Sequence, residues 1–328
     1  MNHADTFEVI RPAAVAYVFS IFMISLCKEY WQFILAQGVL GGIANGMVMC
    51  PTMAAAPQYF EKKRAPVMGL GIAGSSIGGV VIPIALSKML TETNLGFGWS
   101  VRVIGFVIMA VLLPAVMMIK ARLPPRKKSF FLPSAFKEKA YVSLIIAGFF
   151  GFLGMFTPLF YLPLYALTQG MSPRLAFYLS AIFNGASFFG RVIPGILAFK
   201  LGQFNMFVFA TLSSAVITFC WQEVHSNTAI IVFTSIFGFC AGAIVSSMAV
   251  SFASVPKDPR NIGTYMGMGM AIPSIAALVG PPINGALIDY DNGGFRSLAD
   301  FSGAMNLTSL VFVLLAKYFT GKGMLSKT

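Results

Sequence analysis

Arg191 is the residue of this 328-residue chain whose chemistry is hardest to account for by packing alone. It stands in an apolar stretch of about 174–198, where an ionised side chain costs about 2.5–3.5 kcal/mol on insertion scales and is kept where a partner or a wet cavity offsets that cost. Asn184, Ser187 and Arg191 follow one another at i, i+3 and i+7, a spacing that puts them on one face of a helix. A guanidinium on such a polar face can grip a carboxylate through two parallel hydrogen bonds. The competing reading is that Arg191 snorkels to an interface or braces a helix. Gln37, Asn45, Ser75, Ser76, Tyr161, Tyr165, Ser246, Ser247 and Ser251 are further polar side chains in apolar stretches. Asn45 and Tyr161 join the candidate substrate contacts, although residues of this kind more often hydrogen-bond between helices. No paired carboxylates fall within a span, and His3 and His225 lie at predicted loops. Cys27, Cys50, Cys220 and Cys240 sit one per apolar segment without paired spacing. The chain therefore offers no catalytic acid and base, no metal site and no disulfide framework. Gly69 to Gly74 matches GxGxxG, but it follows a basic turn and not a strand, so no cofactor is expected there.

A polar helix face needs a scaffold, and the composition says of which kind. With 57% hydrophobic, 14% aromatic and 10% charged residues and a mean hydropathy of +0.79, the chain has too little polar surface to show to water. A bilayer span takes about 20 apolar residues, and charges and turn residues cut the chain into ten such pieces: 12–29, 31–58, 65–90, 100–119, 140–165, 174–198, 205–224, 228–254, 262–288 and 301–320. The fold class is thus an all-α polytopic membrane protein of about ten transmembrane helices. The net charge of +12 is spread over alternate loops, whereas nucleic-acid binding gathers charge on one soluble face. With the N-terminus in the cytosol, seventeen of the 23 Lys and Arg lie in inner segments and five in outer ones. The positive-inside rule then places both termini in the cytosol. The densest basic stretch, 120–139, carries Pro124, Pro125 and Pro133 and divides four spans (1–119) from six spans and a short tail (140–328). Glycines at 38, 41, 42 and 46, and at 71, 74, 78 and 79, predict helix faces that a neighbour approaches closely. Prolines in most spans predict kinks, which suit helices around a cavity or reflect ordinary irregularity.

Several motifs occur in a telling order: Glu29-Tyr30-Trp31-Gln32, the run Leu35 to Ile43, Gln58-Tyr59-Phe60 before Lys62-Lys63-Arg64-Ala65, Gly74-Ser75-Ser76-Ile77-Gly78-Gly79 with Pro83, Gly96-Phe97-Gly98-Trp99 with Arg102, and Arg122-Leu123-Pro124-Pro125-Arg126. They resemble helices three to six of fungal monocarboxylate-porter-like transporters of the major facilitator superfamily. Asn184-Gly185-Ala186-Ser187 and Gly190-Arg191 continue the likeness in helix eight. The resemblance covers nearly all of the chain from about residue 20. It implies a major-facilitator-type bundle apparently lacking the first two of twelve helices, with 1–119 an incomplete N-terminal bundle, 120–139 a basic cytosolic linker and 140–328 a six-helix C-terminal bundle.

By the same resemblance the chain is not an enzyme but a secondary transporter, moving an organic anion by alternating access. Efflux of an acidic secondary metabolite is preferred to uptake or proton-linked transport of a short monocarboxylate, and a truncated, transport-inactive protein is the third reading. The implied partners are a small organic acid and the lipid bilayer, with protons left open and nucleic acid excluded. The plasma membrane is the expected location and the vacuolar membrane the alternative. Monocarboxylate porters place a helix-eight arginine at the anion site, a role the resemblance assigns to Arg191. Ser187 stands where animal members have an aspartate, which removes the counter-ion of proton-coupled release. The stretch Gly195 to Gly202, GILAFKLG, resembles the superfamily signature G-x-L-A-D-r-x-G between helices eight and nine. The resemblance implies a gating role for Gly195, Phe199, Lys200 and Gly202, and a weaker inward-closed state because Phe199 replaces the acid.

Overall fold

The structure, a computed structural model, describes residues 4–60, 64–119 and 131–320. Among the described residues, nine stretches are long and apolar enough to cross a membrane, and a shorter apolar one, Val9–Ile24, adds a tenth. The molecule is an all-helical, multi-pass membrane protein. Its helices are α1 (Ala4–Ile24), α2 (Tyr30–Phe33), α3 (Gly42–Tyr59), α4 (Arg64–Glu92), α5 (Gly96–Met118), α6 (Lys139–Thr168), α7 (Pro173–Leu201), α8 (Gln203–Phe219), α9 (Asn227–Ser254), α10 (Ile262–Tyr290) and α11 (Arg296–Phe319). A π-helical stretch, Ile34–Gly41, joins α2 to α3 without a break, so the expected span 31–58 is one continuous rod.

The first span differs from expectation. It begins eight residues earlier and ends at Ile24 rather than at residue 29. Pro12 sits inside this helix, and residues 25–29 form the turn that closes it. There Ser25 donates its hydroxyl to the Phe22 carbonyl at 2.6 Å. The Gln32 side-chain oxygen accepts from the N–H groups of Lys28 (2.8 Å) and Glu29 (3.2 Å), satisfying donors that the start of α2 would otherwise leave orphaned. Residues 120–130 of the basic linker lie outside the described residues. Its end is anchored: Pro133–Lys137 forms a 3-10 turn, the Tyr265 hydroxyl donates to the Glu138 carboxylate at 2.7 Å, and the Tyr141 hydroxyl donates to the Tyr265 carbonyl at 2.7 Å.

The chain forms two compact units. The first is Met1–Glu61 with Val81–Ser129, and the second is Lys62–Val80 with Phe130–Thr328, so the dividing line passes through α4. In the first unit α1 packs on α3, the π-helical stretch and α5, with Ile10, Ala14 and Val116 at one buried cluster. In the second, α6 packs on α10 and α11, α7 on α9, and α8 on α9 and α11.

Helices surrounded by lipid gain little from burying apolar surface, so close packing and polar contacts hold them together. The second unit shows both devices. At the α7–α9 crossing, a Cβ on Gly238 would fall 2.5 Å from the Phe183 carbonyl oxygen, and one on Gly190 would fall 2.9 Å from Phe239 Cα. Along α6 and α11, Ser302 donates to the Gly154 carbonyl and Ser309 to the Ala147 carbonyl, each at 2.7 Å.

Candidate functional site

α7 brings Arg191 to α4 because two glycines let the backbones meet. A Cβ on Gly195 would fall 3.3 Å from the Gly69 Cα. Further along this antiparallel crossing, Arg191 Nη1 donates to the Ile72 carbonyl at 3.1 Å and also to the Ser75 hydroxyl. About two turns further along α7, Asn184 lies against Gly79, where a Cβ would collide with its side chain. The Asn184 amide donates to the Ser180 carbonyl of its own helix at 2.9 Å. From the third helix of the cluster, Ser246 of α9 donates to the Arg191 carbonyl at 3.1 Å.

These contacts leave the guanidinium under-committed. Its partners are one carbonyl and one hydroxyl, with no carboxylate among the described residues. Arg191 Nε is buried and has no hydrogen-bond partner among the described residues. A guanidinium carries five N–H donors in a fixed fork and no acceptor, so these two oxygens engage only part of its donor set. A buried donor left unpaired costs about 1–3 kcal/mol, and neutral oxygens balance the positive charge only in part.

The polar face expected from sequence is divided in space. Asn184 and Arg191 meet α4, whereas Ser187 is fully buried against α9. A Cβ on Gly242 would fall 2.8 Å from the Ser187 Oγ, and that hydroxyl has no partner among the described residues. Ser187 is thus a small residue at a helix crossing, separate from the guanidinium. Tyr161 is committed elsewhere, its hydroxyl tying α6 to α10 by donating to the Pro281 carbonyl at 2.7 Å. Asn45 belongs to the first unit, where it lines a cavity with Gln37.

The residues of the signature-like stretch have distinct surroundings. Gly195 lies in the α4–α7 crossing. Gly202 has φ +93° and serves at once as the C-cap of α7 and the N-cap of α8, a backbone conformation that favours glycine. Lys200 is exposed in the last turn of α7, and the Phe199 side chain lies outside the described residues.

What sequence reasoning missed in α4's half of the site is the pairing: Ser75 stands among the polar side chains the sequence singles out, but nothing there ties it to Arg191. Gly69 was legible only within a GxGxxG match that pointed to no cofactor, and it is one of the crossing glycines. Of the glycines singled out in α4, Gly79 makes a close approach, while a Cβ on Gly74 would meet nothing within 4 Å. The backbone carbonyl of Ile72 carries no side-chain signal at all.

The model of the Major Facilitator Superfamily matches residues 5–222. The aspyridones efflux protein of Emericella nidulans is 48% identical over 318 residues, which are 96% of this chain and 65% of that protein. The chain thus spans somewhat less than two thirds of that relative's length. An MFS-type transporter of Aspergillus niger is 36% identical over 95% of this chain and 72% of its own length. The agnestins efflux protein of Paecilomyces divaricatus is 37% identical over 94% and 71%. The fold is similar to that of FucP, a major facilitator transporter crystallised in the outward conformation, with a TM-score of 0.69, 14% identity and coverage of 96% of this chain and 81% of that one. A variant of the E. coli fucose:proton symporter FucP superposes with a TM-score of 0.74 at 13% identity, covering 96% and 84%. By the family model and by relatives more than 30% identical over most of both chains, this protein belongs to the major facilitator superfamily.

Proposed function

We propose that the chain serves as a secondary transporter that exports an acidic secondary metabolite, with Arg191 as the group that binds the acid. The observation that carries this reading is the guanidinium of α7: a charge kept inside a span, held by two neutral oxygens, with Nε–H unpaired among the described residues. A carboxylate arriving there would accept charge-assisted hydrogen bonds, which are about twice as strong as neutral ones. Asn184, beside Arg191 on the α4 side, is the neighbouring polar contact. The efflux names of two of the relatives support the direction. Within the family plan we assign α1 to the third of twelve helices, as in monocarboxylate-porter-like members, with both termini cytosolic and the plasma membrane as location. Gly195 and Gly202 take gating roles in this reading, as a close crossing and a left-handed turn at the two ends of one segment.

The test is expression in a host lacking its own acid carriers, with cellular retention of a labelled panel of acidic aromatic metabolites and short monocarboxylates measured. Export by the native chain that disappears in Arg191→Ala, at equal insertion, supports the reading. Export that survives the substitution removes Arg191 from the site. Uptake of a short monocarboxylate without export of any larger acid replaces the proposed direction and substrate.

A further inference from the structure

The first unit contains a cavity of about 540 Å³, within the size range of small-molecule sites. It lies toward the end of the unit that carries the 25–29 turn, among α1, the α2–α3 rod, the second half of α4 and α5. Its fifteen lining residues include no Asp, Glu, Lys, Arg or His. Apolar side chains such as Phe33, Phe97 and Ile104 dominate, and the polar exceptions are Tyr17, Ser20, Gln37 and Asn45. Ser20 is already spent, donating to the Tyr17 carbonyl at 2.7 Å. Gln37 and Asn45 are exposed at the open side of this cavity and have no hydrogen-bond partner among the described residues.

The backbone brings the two amides together. In an unbroken α-helix, residues eight apart diverge by roughly 80° around the axis. Between Gln37 and Asn45 the chain passes through the π-helical stretch, whose wider turn takes up that difference. Phe33, Gln37, Gly41 and Asn45 consequently line the same cavity. The two amides stand about 10–12 Å apart along the axis. Gly42, between them, has nothing within 4 Å of where a Cβ would be, so the wall there is open. Stretches of π-helix inside α-helices gather at functional sites, and an amide in a span is expensive unless something satisfies it.

From this we infer that the first unit holds a binding site for an uncharged, mostly apolar molecule, or the uncharged part of one, that carries carbonyl, hydroxyl or amide groups for Gln37 and Asn45. A carboxylate has no counter-charge in this cavity and is excluded from it. The site is distinct in chemistry from the Arg191 cluster. Its occupancy is read by binding, without transport, and so stands or falls separately from the acid-export proposal.

The experiment uses the full chain in lipid nanodiscs, tritiated 2-naphthamide as probe, and 2-isopropenylnaphthalene as an apolar isostere of nearly the same shape. Saturable binding is expected, with the isostere competing about tenfold more weakly than unlabelled amide, the worth of one to two net hydrogen bonds. Gln37→Leu with Asn45→Leu should bring the two compounds within about twofold of each other. Gly42→Phe, at a lining position where an added Cβ would meet nothing within 4 Å, should abolish binding of both. Equal competition by the isostere in the native chain would make the cavity an apolar lipid groove and overturn the proposal. So would a preference for the amide that survives the double substitution, or binding that Gly42→Phe leaves intact. Unchanged elution of each variant as a single species certifies folding, and a variant that fails this is replaced by the single substitution Gln37→Leu, for which a partial loss of preference is expected.

Discussion

Glycines meet opposite surroundings at the helix crossings of α7 and along the α2–α3 rod. At the crossings, Gly190, Gly238 and Gly242 hold α7 and α9 in backbone contact, and Gly69 with Gly195 does the same for α4 and α7. Along the rod, glycines of the same spacing mostly face open space: a Cβ on Gly42 or Gly46 would meet nothing within 4 Å, and only Gly41 approaches a neighbour, Ser20. The sequence pattern is alike in both places, so the spacing of small residues specifies a smooth helix face and not what covers it. Where a second helix covers that face, the polar side chains nearby donate to its carbonyls, as Ser246 and Arg191 do. Where none does, the exposed amides of Gln37 and Asn45 have no hydrogen-bond partner among the described residues.

Substitution at the glycines should break this contrast most violently. Gly238→Leu forces a side chain into the Phe183 backbone, an overpacking that costs about 3 kcal/mol or more, whereas Gly42→Leu should leave stability within about 0.5 kcal/mol. Thermal unfolding of purified protein followed by size-exclusion chromatography checks both, and equal melting would show that the crossing is looser than described. Next in size is the charged site. Arg191→Ala should lower acid export at least tenfold while leaving the melting temperature unchanged or raised, because it removes a buried charge with incomplete partners; Arg191→Lys, without the planar fork, should recover only part of the activity.

A smaller effect separates spent from unspent polar groups. Tyr161→Phe removes one hydrogen bond between α6 and α10 and should cost about 0.6–1 kcal/mol of stability with export unaffected; an export defect at normal stability would return Tyr161 to the substrate path. The smallest lies at the turn between α10 and α11. The Ser297 hydroxyl and N–H both donate to Asp291, each at 2.7 Å, and hold its carboxyl below the usual carboxylate range. A carboxyl lowered on folding stabilises above its unfolded value, about pH 3.9, and that contribution disappears as pH falls through the lower folded value. Melting temperatures taken from pH 6 down to pH 3 should therefore fall slightly more steeply for the native protein than for Asp291→Asn.

Hydropathy and loop charge made the spans legible, since length and composition alone decide whether a helix can cross a bilayer. The ends were less so: past Ile24 the Gln32 side chain organises the turn into α2, a local capping contact that apolar runs do not encode. Arg191 was visible as a charge out of place. Its partners were not, because one is a backbone carbonyl and the other is one of many serines. Asn184, Ser187 and Arg191 do share a helix face, but the face spans roughly 60°, and α4 and α9 divide it between them. Nothing in the composition of Ile34–Gly41 marks it as π-helical, since its apolar residues and glycines are those of any neighbouring span.

The α6–α11 pair carries one further consequence. Ser302 and Ser309 are seven residues apart, and so are the carbonyls they reach, at Gly154 and Ala147. Seven residues is the repeat at which two supercoiled helices return to the same mutual register. The two bonds act like dowels in a joint: sliding α11 along α6 by a single residue would withdraw both at once, with no intermediate position in which one is kept. Motion of the second unit therefore leaves this pair moving as one rod, and whatever bending the protein undergoes has to be taken up elsewhere.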